Sequence, residues 1–322
     1  MEFLKKYQHI LIPALEDIRF PNEPANLYQP LAYFLALGGK RMRPLLTLMS
    51  CKLFDKDPQE ALSAALSVEL FHNFSLIHDD IMDEAPLRRG KPTVHEKWNS
   101  NIAILSGDVL LVKAYEKLSD YEPDTFKALF NTFNTTAVEV CEGQQMDMDF
   151  ESRNDVSIEE YTEMIRLKTS VLLGAALKMG AQVAGADTKN QELIYDFGVN
   201  MGIAFQLQDD WLDLYADPEK FGKQVGGDVI ANKKTFLLLG AQELATNSHQ
   251  SALNELLTIN NPMEKVNLAK SLFSELGVES KIRAKMNDYY RAAKESLSKI
   301  EVAEDKKADL IQLGDYLLNR EV

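Results

Sequence analysis

The sequence predicts an all-α protein, and three observations carry that reading. Apolar residues recur at helical spacing almost throughout, alternating β-branched runs are nearly absent, and prolines and glycines fall between the periodic stretches. In order, Leu4 to Ile18 forms a first amphipathic helix, stopped by Pro21 and Pro24. Leu31 to Leu37 runs into the stop Gly38-Gly39, and Pro44 suits the first turn of a helix reaching about Phe54. A long helix follows Asp57-Pro58, from Glu60 to about Asp83; Glu84 to Pro92 then reads as a loop, with Pro86 and Gly90 inside it. Further helices cover Asn101–Leu118, Asp124–Gln145, Ser157–Val183 and Gln191–Asp213. A polar, glycine-bearing loop from Phe221 to Asn232 precedes a helix from about Lys234 to Ala245. Pro262–Leu276, Glu279–Ile300 and Ala308–Arg320 close the chain as amphipathic helices rich in Lys and Glu. No low-complexity linker divides residues 1–322, so the expectation is one domain, a large helical bundle.

A chain of 322 residues can bury a large core. Its formal net charge of −14 argues against a nucleic-acid groove, which needs a basic stripe, and suits acidic groups gathered to bind cations. Cys51 and Cys141 stand in apolar, helix-like surroundings without partner spacing, which points to reduced thiols rather than a disulfide or a zinc site. The first residues lack an apolar signal core. The longest apolar stretch, Ser170 to Ala186, carries Lys178 and Gln182 and is too short to span a bilayer. These features predict a soluble, cytoplasmic protein with no membrane span.

Two stretches share one spelling: Asp79-Asp80-Ile81-Met82-Asp83 and Asp209-Asp210-Trp211-Leu212-Asp213, each ending an apolar helix. Helical geometry aligns Asp79 with Asp83 and Asp209 with Asp213, and sets Asp80 and Asp210 beside those faces. Like charges at this spacing repel by about 0.2–0.5 kcal/mol per pair, and more in an interior, unless protonation or a bound cation offsets them. One such motif alone would pass as a solvated helix end; two, both closing apolar helices, call for a ligand. With oxygen donors only and no His or Cys at metal spacing, Mg²⁺ is the natural ion, shared with water and phosphate oxygens. An EF-hand calcium loop is disfavoured, because no glycine sits inside either motif and no Glu follows at its twelfth position. The expectation is that the six carboxylates face one another across a cavity and hold Mg²⁺ on a diphosphate.

Fixed cations accompany both motifs. Gly38-Gly39-Lys40-Arg41-Met42-Arg43-Pro44 sets three of them beside a glycine break and a helix start, which suits phosphate binding. Arg88-Arg89-Gly90 follows the first motif closely, Lys168-Thr169 lies in a mostly apolar helix, and Phe221-Gly222-Lys223 and Asn232-Lys233-Lys234-Thr235 flank the loop after the second. His72, seven residues before Asp79, shares its helix face and could donate to an anion. Singly, most of these would be ordinary surface charges, and a lone His an ordinary core residue; their clustering about the Asp motifs is the signal.

Together these residues resemble the trans-isoprenyl diphosphate synthases, or polyprenyl synthetases. The similarity runs from about Gly38 to Thr235 through Gly-Gly-Lys-Arg-x-Arg-Pro, Asp-Asp-x-x-Asp with Arg-Arg-Gly, Lys-Thr, Gln-x-x-Asp-Asp-x-x-Asp and Gly-Lys-x-x-Gly-x-Asp. The resemblance implies antiparallel helices around a deep central cavity, a homodimer, and head-to-tail condensation of isopentenyl diphosphate with an allylic diphosphate. It implies Mg²⁺ as cofactor, three ions with the allylic substrate bound. Asp79, Asp83 and Asp209 then correspond to the principal ligands, with Asp80, Asp210 and Asp213 in support. Arg88, Lys168, Lys223 and Lys233 would grip the allylic diphosphate, and Lys40, Arg43, His72 and Arg89 the metal-free isopentenyl diphosphate. Thr169 and Gln206 resemble the polar residues beside the reacting carbons. Asn232 departs from the glycine often found before the lysine matched by Lys233, which leaves Lys233 and Lys234 as alternatives, and Arg320 resembles a C-terminal contact.

In that family bulky residues before the first Asp motif floor the cavity. Phe71, Phe74 and Ser75 hold those turns, and an aromatic at Phe74 resembles short-chain enzymes, with C15 favoured slightly over C20. Ser75 and Phe71 nevertheless lie nearer the Asp79 face than Phe74 does. A terpene cyclase or squalene-type synthase is the rival enzyme, but it would need no second cationic set for a second diphosphate. A non-catalytic subunit of a heteromeric synthase is the rival outside catalysis, and there an Asp motif or its cations would be missing.

Overall fold

The computed structural model describes residues 2–216 and 225–318. They form an all-α fold of packed helices, with one two-stranded turn as its only sheet among the described residues. The chain divides into two compact units.

The first unit comprises residues up to 134, with 175–194 and 302–306. It contains α1 (Glu2–Glu16), α2 (Ala25–Ala36), α3 (Met42–Leu53), α4 (Leu62–Met82), the short α5 (Val94–Lys97) and α6 (Ser100–Leu118). It also takes in the first part of α7 (Pro123–Ser152), the later part of α9 (Val171–Val183) and the start of α10 (Thr188–Tyr215). At its centre α4 packs against α6 and α3. Ala64, Ala65, Val68, Leu70 and Phe71 of α4 are buried, as apolar residues on nearly every side of the helix require. Burying a side chain such as Phe71 contributes about 1.5–3 kcal/mol. Gly107 on α6 lets the two helices close up, since a Cβ there would overlap the His78 ring.

The second unit comprises 135–174, 195–301 and 307 onward. Beside the remaining parts of α7, α9 and α10 it holds α8 (Ile158–Ile165), α11 (Gly227–Ile230), α12 (Phe236–Leu244), α13 (Gln250–Thr258), α14 (Pro262–Glu275), α15 (Val278–Ser298) and α16 (Glu304–Leu318). Leu207 and Leu214 of α10 pack in one cluster with Phe236 and Leu237 of α12, Phe273 of α14 and Val278 and Ile282 of α15. Ser157 and Glu160 form a reciprocal capping box at the start of α8, and Asn261 caps α14 through the Met263 and Glu264 amides.

The element boundaries differ from the sequence expectation in five places. α2 starts at Ala25, ahead of Leu31, and carries Pro30 within it; only one carbonyl, that of Asn26, loses a helical partner there. The expected loop over 84–92 contains a hairpin, Leu87–Arg88 against Lys91–Pro92, turned by Arg89 and Gly90 at φ 53° and 73°. The expected helix 157–183 is interrupted by a π turn over Arg166–Ser170, in which the Val171 amide donates to the Arg166 carbonyl. α7 continues to Ser152, and α13 forms between Thr246-Asn247-Ser248 and Asn260-Asn261-Pro262, where no helix was expected. Cys51 is buried in α3 and Cys141 exposed on α7, both as free thiols. No helix of the described residues is long and apolar enough to cross a membrane.

Candidate active site

α4 sorts its polar side chains by face. His72, Asp79 and Asp83 fall on one stripe, with Asp79 half-buried and Asp83 exposed at the helix end. Glu69, Asn73 and Asp80 fall on the next, and this stripe is buried, at 2%, 0% and 1% exposure. It holds two arginines. Arg41 donates through Nη1 to Glu69 and, at 3.4 Å, to Asn73 Oδ1, and through Nη2 to the Leu35 carbonyl at 2.6 Å. Asn73 Nδ2 closes the network on Glu69 Oε1 at 2.7 Å. Arg88 donates Nε to both oxygens of Asp80 at 2.8 and 2.9 Å, with Nη2 at 2.7 Å. Burial pushes the Asp80 carboxyl above its ordinary range, and Arg88 opposes that shift.

The residues expected to bind isopentenyl diphosphate all belong to this unit. Lys40 is exposed in the turn before α3. Arg43 Nη1 lies 3.1 Å from His72 Nε2, so Nε2 accepts and the imidazole carries its proton on Nδ1. Burial, then Arg43, Arg89, Arg88 and Arg41 in that order, hold His72 well below 6.5 and keep the ring neutral. Burial brings Arg43 down to about 10, and its Nε finds no hydrogen-bond partner among the described residues. Arg89 donates Nη1 to the Gly38 carbonyl, and its guanidinium lies on Gly39 so closely that a Cβ there would stand 2.7 Å from Nη2. Gly39 also sits at φ 133°, a conformation that suits glycine.

Phe71 is fully buried, with ring centroids 5.6 Å from Phe74 and 5.2 Å from Phe133, and Phe133 meets Tyr115 at 4.7 Å. Phe74 is half-buried against His78, and Ser75 turns its hydroxyl back to the His72 carbonyl at 2.9 Å.

In the second unit, Gln206, Asp209 and Asp213 occupy one stripe of α10, all half-buried. Asp210 points elsewhere and is buried, accepting from the Tyr161 hydroxyl and, at 3.3 Å, from the Phe236 amide. Burial raises its carboxyl to about 8, Asp228 and Asp209 adding to the shift and both hydrogen bonds opposing it. Asp213 is raised to about 6, chiefly by burial and then by Asp228, while Lys233 pulls the other way. The Asp228 amide donates to Asp213 Oδ2 at 3.1 Å, fastening α11 to the end of α10. Lys168 and Thr169 ride on the π turn, where Lys168 Nζ lies 2.6 Å from Asp147 Oδ2 on α7. Gly143 permits that approach, because a Cβ would fall onto the Lys168 amide. Lys233 is exposed, whereas Lys234 reaches the Glu151 carbonyl at 3.2 Å. Lys223 and Arg320 lie outside the described residues. Among the described residues no three His, Cys, Asp or Glu side chains converge as a ready-made metal cage. The oxygen-only carboxylates still fit Mg²⁺, which takes few protein ligands and keeps water and phosphate oxygens.

Known proteins bear on this arrangement. The profile of the polyprenyl synthetase family matches residues 24–276. The chain belongs to that family, within its short-chain trans-isoprenyl diphosphate synthases. A short chain isoprenyl diphosphate synthase of Methanothermobacter thermautotrophicus is 37% identical over 100% of this chain and 98% of its own. A geranylgeranyl pyrophosphate synthase of Geoglobus acetivorans is 36% identical over 99% of each. A crystal structure of a geranylgeranyl pyrophosphate synthase superposes with a TM-score of 0.94 at 47% identity, covering 99% of each chain. The chemistry of a polyprenyl synthetase of this type is prenyl transfer, condensing isopentenyl diphosphate with an allylic diphosphate.

In each unit of this polyprenyl synthetase, several residues near the motifs carried no signal that the motifs alone could give. Glu69 and Asn73 sit inside an apolar helix, where a buried acid four residues from an amide was the available clue. Tyr161 and Asp147 are ordinary in sequence and become notable through their partners, Asp210 and Lys168. Gln144, next to Gly143, buries both amide atoms with no hydrogen-bond partner among the described residues, the mark of a group awaiting water or ligand.

Proposed function

We propose that the chain is a Mg²⁺-dependent synthase that makes an all-trans C20 diphosphate by successive additions of isopentenyl diphosphate to an allylic primer. The observation that carries the two-substrate reading is a second set of cations, Lys40, Arg43 and Arg89 with the neutral His72 imidazole held by Arg43, separate from the arginine that grips Asp80. A cyclase, with one diphosphate to bind, has no use for it. Asp79, Asp83, Asp209 and Asp213 are the groups that would hold Mg²⁺ with the allylic diphosphate. The metal, when bound, supplies positive charge to the leaving diphosphate.

Arg88, Lys168 and Lys233 add fixed charge to the same diphosphate, so that the allylic C–O bond ionises. Between the two lysines after the second motif, Lys233 fits the role, because Lys234 is committed to Glu151. Thr169 and Gln206 offer dipoles to the allylic cation, and apolar walls keep water from quenching it. The double bond of isopentenyl diphosphate attacks, forming the new C–C bond, and a proton then leaves to the released diphosphate.

Two observations support C20 over the C15 favoured from sequence. Ser75, one turn below Asp79 on its own stripe, is small and turned toward His72, so the first bulk meets the chain at Phe74 and Phe71. Two of the similar proteins are geranylgeranyl pyrophosphate synthases. A homodimer is supported by exposed apolar residues on α6 and α7, among them Leu105, Val112, Phe130 and Val138.

Purified protein incubated with isopentenyl diphosphate, each allylic diphosphate and Mg²⁺, followed by chromatography of the products, tests this reading. A C20 product supports it, a C15 product overturns the length, and no condensation overturns the function.

A further inference from the structure

We propose that the second aspartate of each motif, Asp80 and Asp210, is a positioning residue that anchors the cation-bearing segment following its helix, and that Tyr161 is Asp210's partner in that task. The kinetic part rests on the reaction proposed above; the structural part does not.

Helical geometry turns Asp80 and Asp210 by about 100° from the stripe of their neighbours. Both are buried, at 1% and 4% exposure; Asp80 accepts on both oxygens from Arg88, and Asp210 accepts two protein donors on Oδ2. Asp80 takes Nε and Nη2 of Arg88, which fixes the first strand of the hairpin whose turn begins at Arg89. Asp210 takes the Tyr161 hydroxyl and the Phe236 amide.

That amide is the first of α12, whose N-cap residue Thr235 makes no side-chain capping bond. Asp210, reaching from α10, accepts it instead through Oδ2 and so satisfies one of the amides a helix start leaves unpaired. Order then passes back along the chain. The Thr235 amide donates to the Lys233 carbonyl at 2.9 Å, and the Lys233 amide to the Asp228 carbonyl at 2.9 Å. The anchor therefore fixes the backbone of Lys233, whose charge is felt by Asp213. Tyr161, on α8 immediately before the π turn, ties the same carboxylate to the helix that leads into Lys168 and Thr169. One buried oxygen, Asp210 Oδ2, thus sets the origin of two cationic segments in this unit.

The test compares Tyr161→Phe, Asp210→Asn and Asp209→Asn with the unaltered protein. In the metal-free protein, hydrogen exchange of the amides from Lys233 to Leu237 should quicken about fivefold in Tyr161→Phe, as loss of one buried hydrogen bond implies, and stay unchanged in Asp209→Asn. In steady-state assays Tyr161→Phe should raise KM for the allylic diphosphate roughly fivefold with little change in kcat. Asp210→Asn keeps an acceptor oxygen, so it should weaken turnover yet leave the Mg²⁺ midpoint within about twofold, whereas Asp209→Asn should move it tenfold or more. Unaltered exchange in Tyr161→Phe, or a Mg²⁺ midpoint for Asp210→Asn displaced as far as for Asp209→Asn, would overturn the assignment. Inactivity of the unaltered protein would instead overturn the proposed reaction, and the exchange measurement would still decide the anchor.

Discussion

Arg41 and Glu69 form a buried ion pair whose side chains are 8% and 2% exposed, and the pair joins the turn before α3 to the middle of α4. Within Lys40-Arg41-Met42-Arg43, Arg41 closes on Glu69, Asn73 and the Leu35 carbonyl near the end of α2, while Arg43 turns to His72. Removing one partner of such a pair leaves an uncompensated buried charge, so Glu69→Ala should cost about 3–5 kcal/mol in denaturant unfolding. It should also raise KM for isopentenyl diphosphate more than for the allylic substrate. Replacing both partners by Leu and Met should recover most of the stability, as apolar substitution of a buried pair often does. The KM defect should persist in that double variant, because Lys40 and Arg43 would still lack their anchor.

Gly143 provides a second, purely steric prediction. Its place against the Lys168 backbone leaves no room for a methyl group, so Gly143→Ala must displace α7 or the π turn. Overpacking of this kind costs about 1–3 kcal/mol. Because the turn carries Lys168 and Thr169, kcat should fall more steeply than stability would suggest. Equal losses in Gly143→Ala and in a remote variant of matched stability would show that the turn is only packing.

The helices were legible because each buries a stripe that repeats with the helical period, and the Asp motifs because acids ending apolar helices are costly without a purpose. The π turn was not legible: Arg166-Leu167-Lys168-Thr169-Ser170 fits an α-helix as well, and what accompanies the bulge is tertiary, the close approach of α7 at Gly143 and of α10 at Gly202. The hairpin was half visible, since Gly90 marked a turn, but nothing marked Arg89 as its left-handed partner. Identical spelling also concealed a division of labour. Asp79 and Asp80 are equal in sequence, yet one lies on the half-buried stripe with His72 and the other on the buried stripe that grips arginines. Separating them takes the partners, and Arg88 and Tyr161 are set by tertiary contacts, not by the motif.

His72 makes stability depend on pH in a direction that can be worked out. Its folded value lies well below 6.5, through burial and the guanidiniums of Arg43, Arg89, Arg88 and Arg41. Below pH 6.5 the unfolded chain therefore binds a proton that the native protein refuses, and stability falls as pH drops from 6.5 toward the folded value. The limiting slope for one such group is about 1.4 kcal/mol per pH unit. His72→Gln should flatten the fall in thermal stability between about pH 6.5 and 5, the window opened by the unperturbed histidine value. A slope identical to that of the unaltered protein would assign the acid sensitivity to other groups.

The aromatic cluster under α4 yields a prediction that separates packing from product length. Phe71 is wedged among Phe74 and Phe133 and is fully buried, so Phe71→Ala should cost about 3–5 kcal/mol whatever its effect on the product. Phe74 is half-buried, and its loss should cost less. If Phe74 floors the growing chain, Phe74→Ala should lengthen the product by at least one five-carbon unit at nearly unchanged kcat for the first addition. Ser75→Phe should do the reverse, placing bulk one turn below Asp79 and stopping the chain at C15. Product chromatography on the two variants, at matched turnover, reads both outcomes. Lengthening in Phe71→Ala alone would move the floor one turn deeper, and unchanged length in both would detach this cluster from chain-length control.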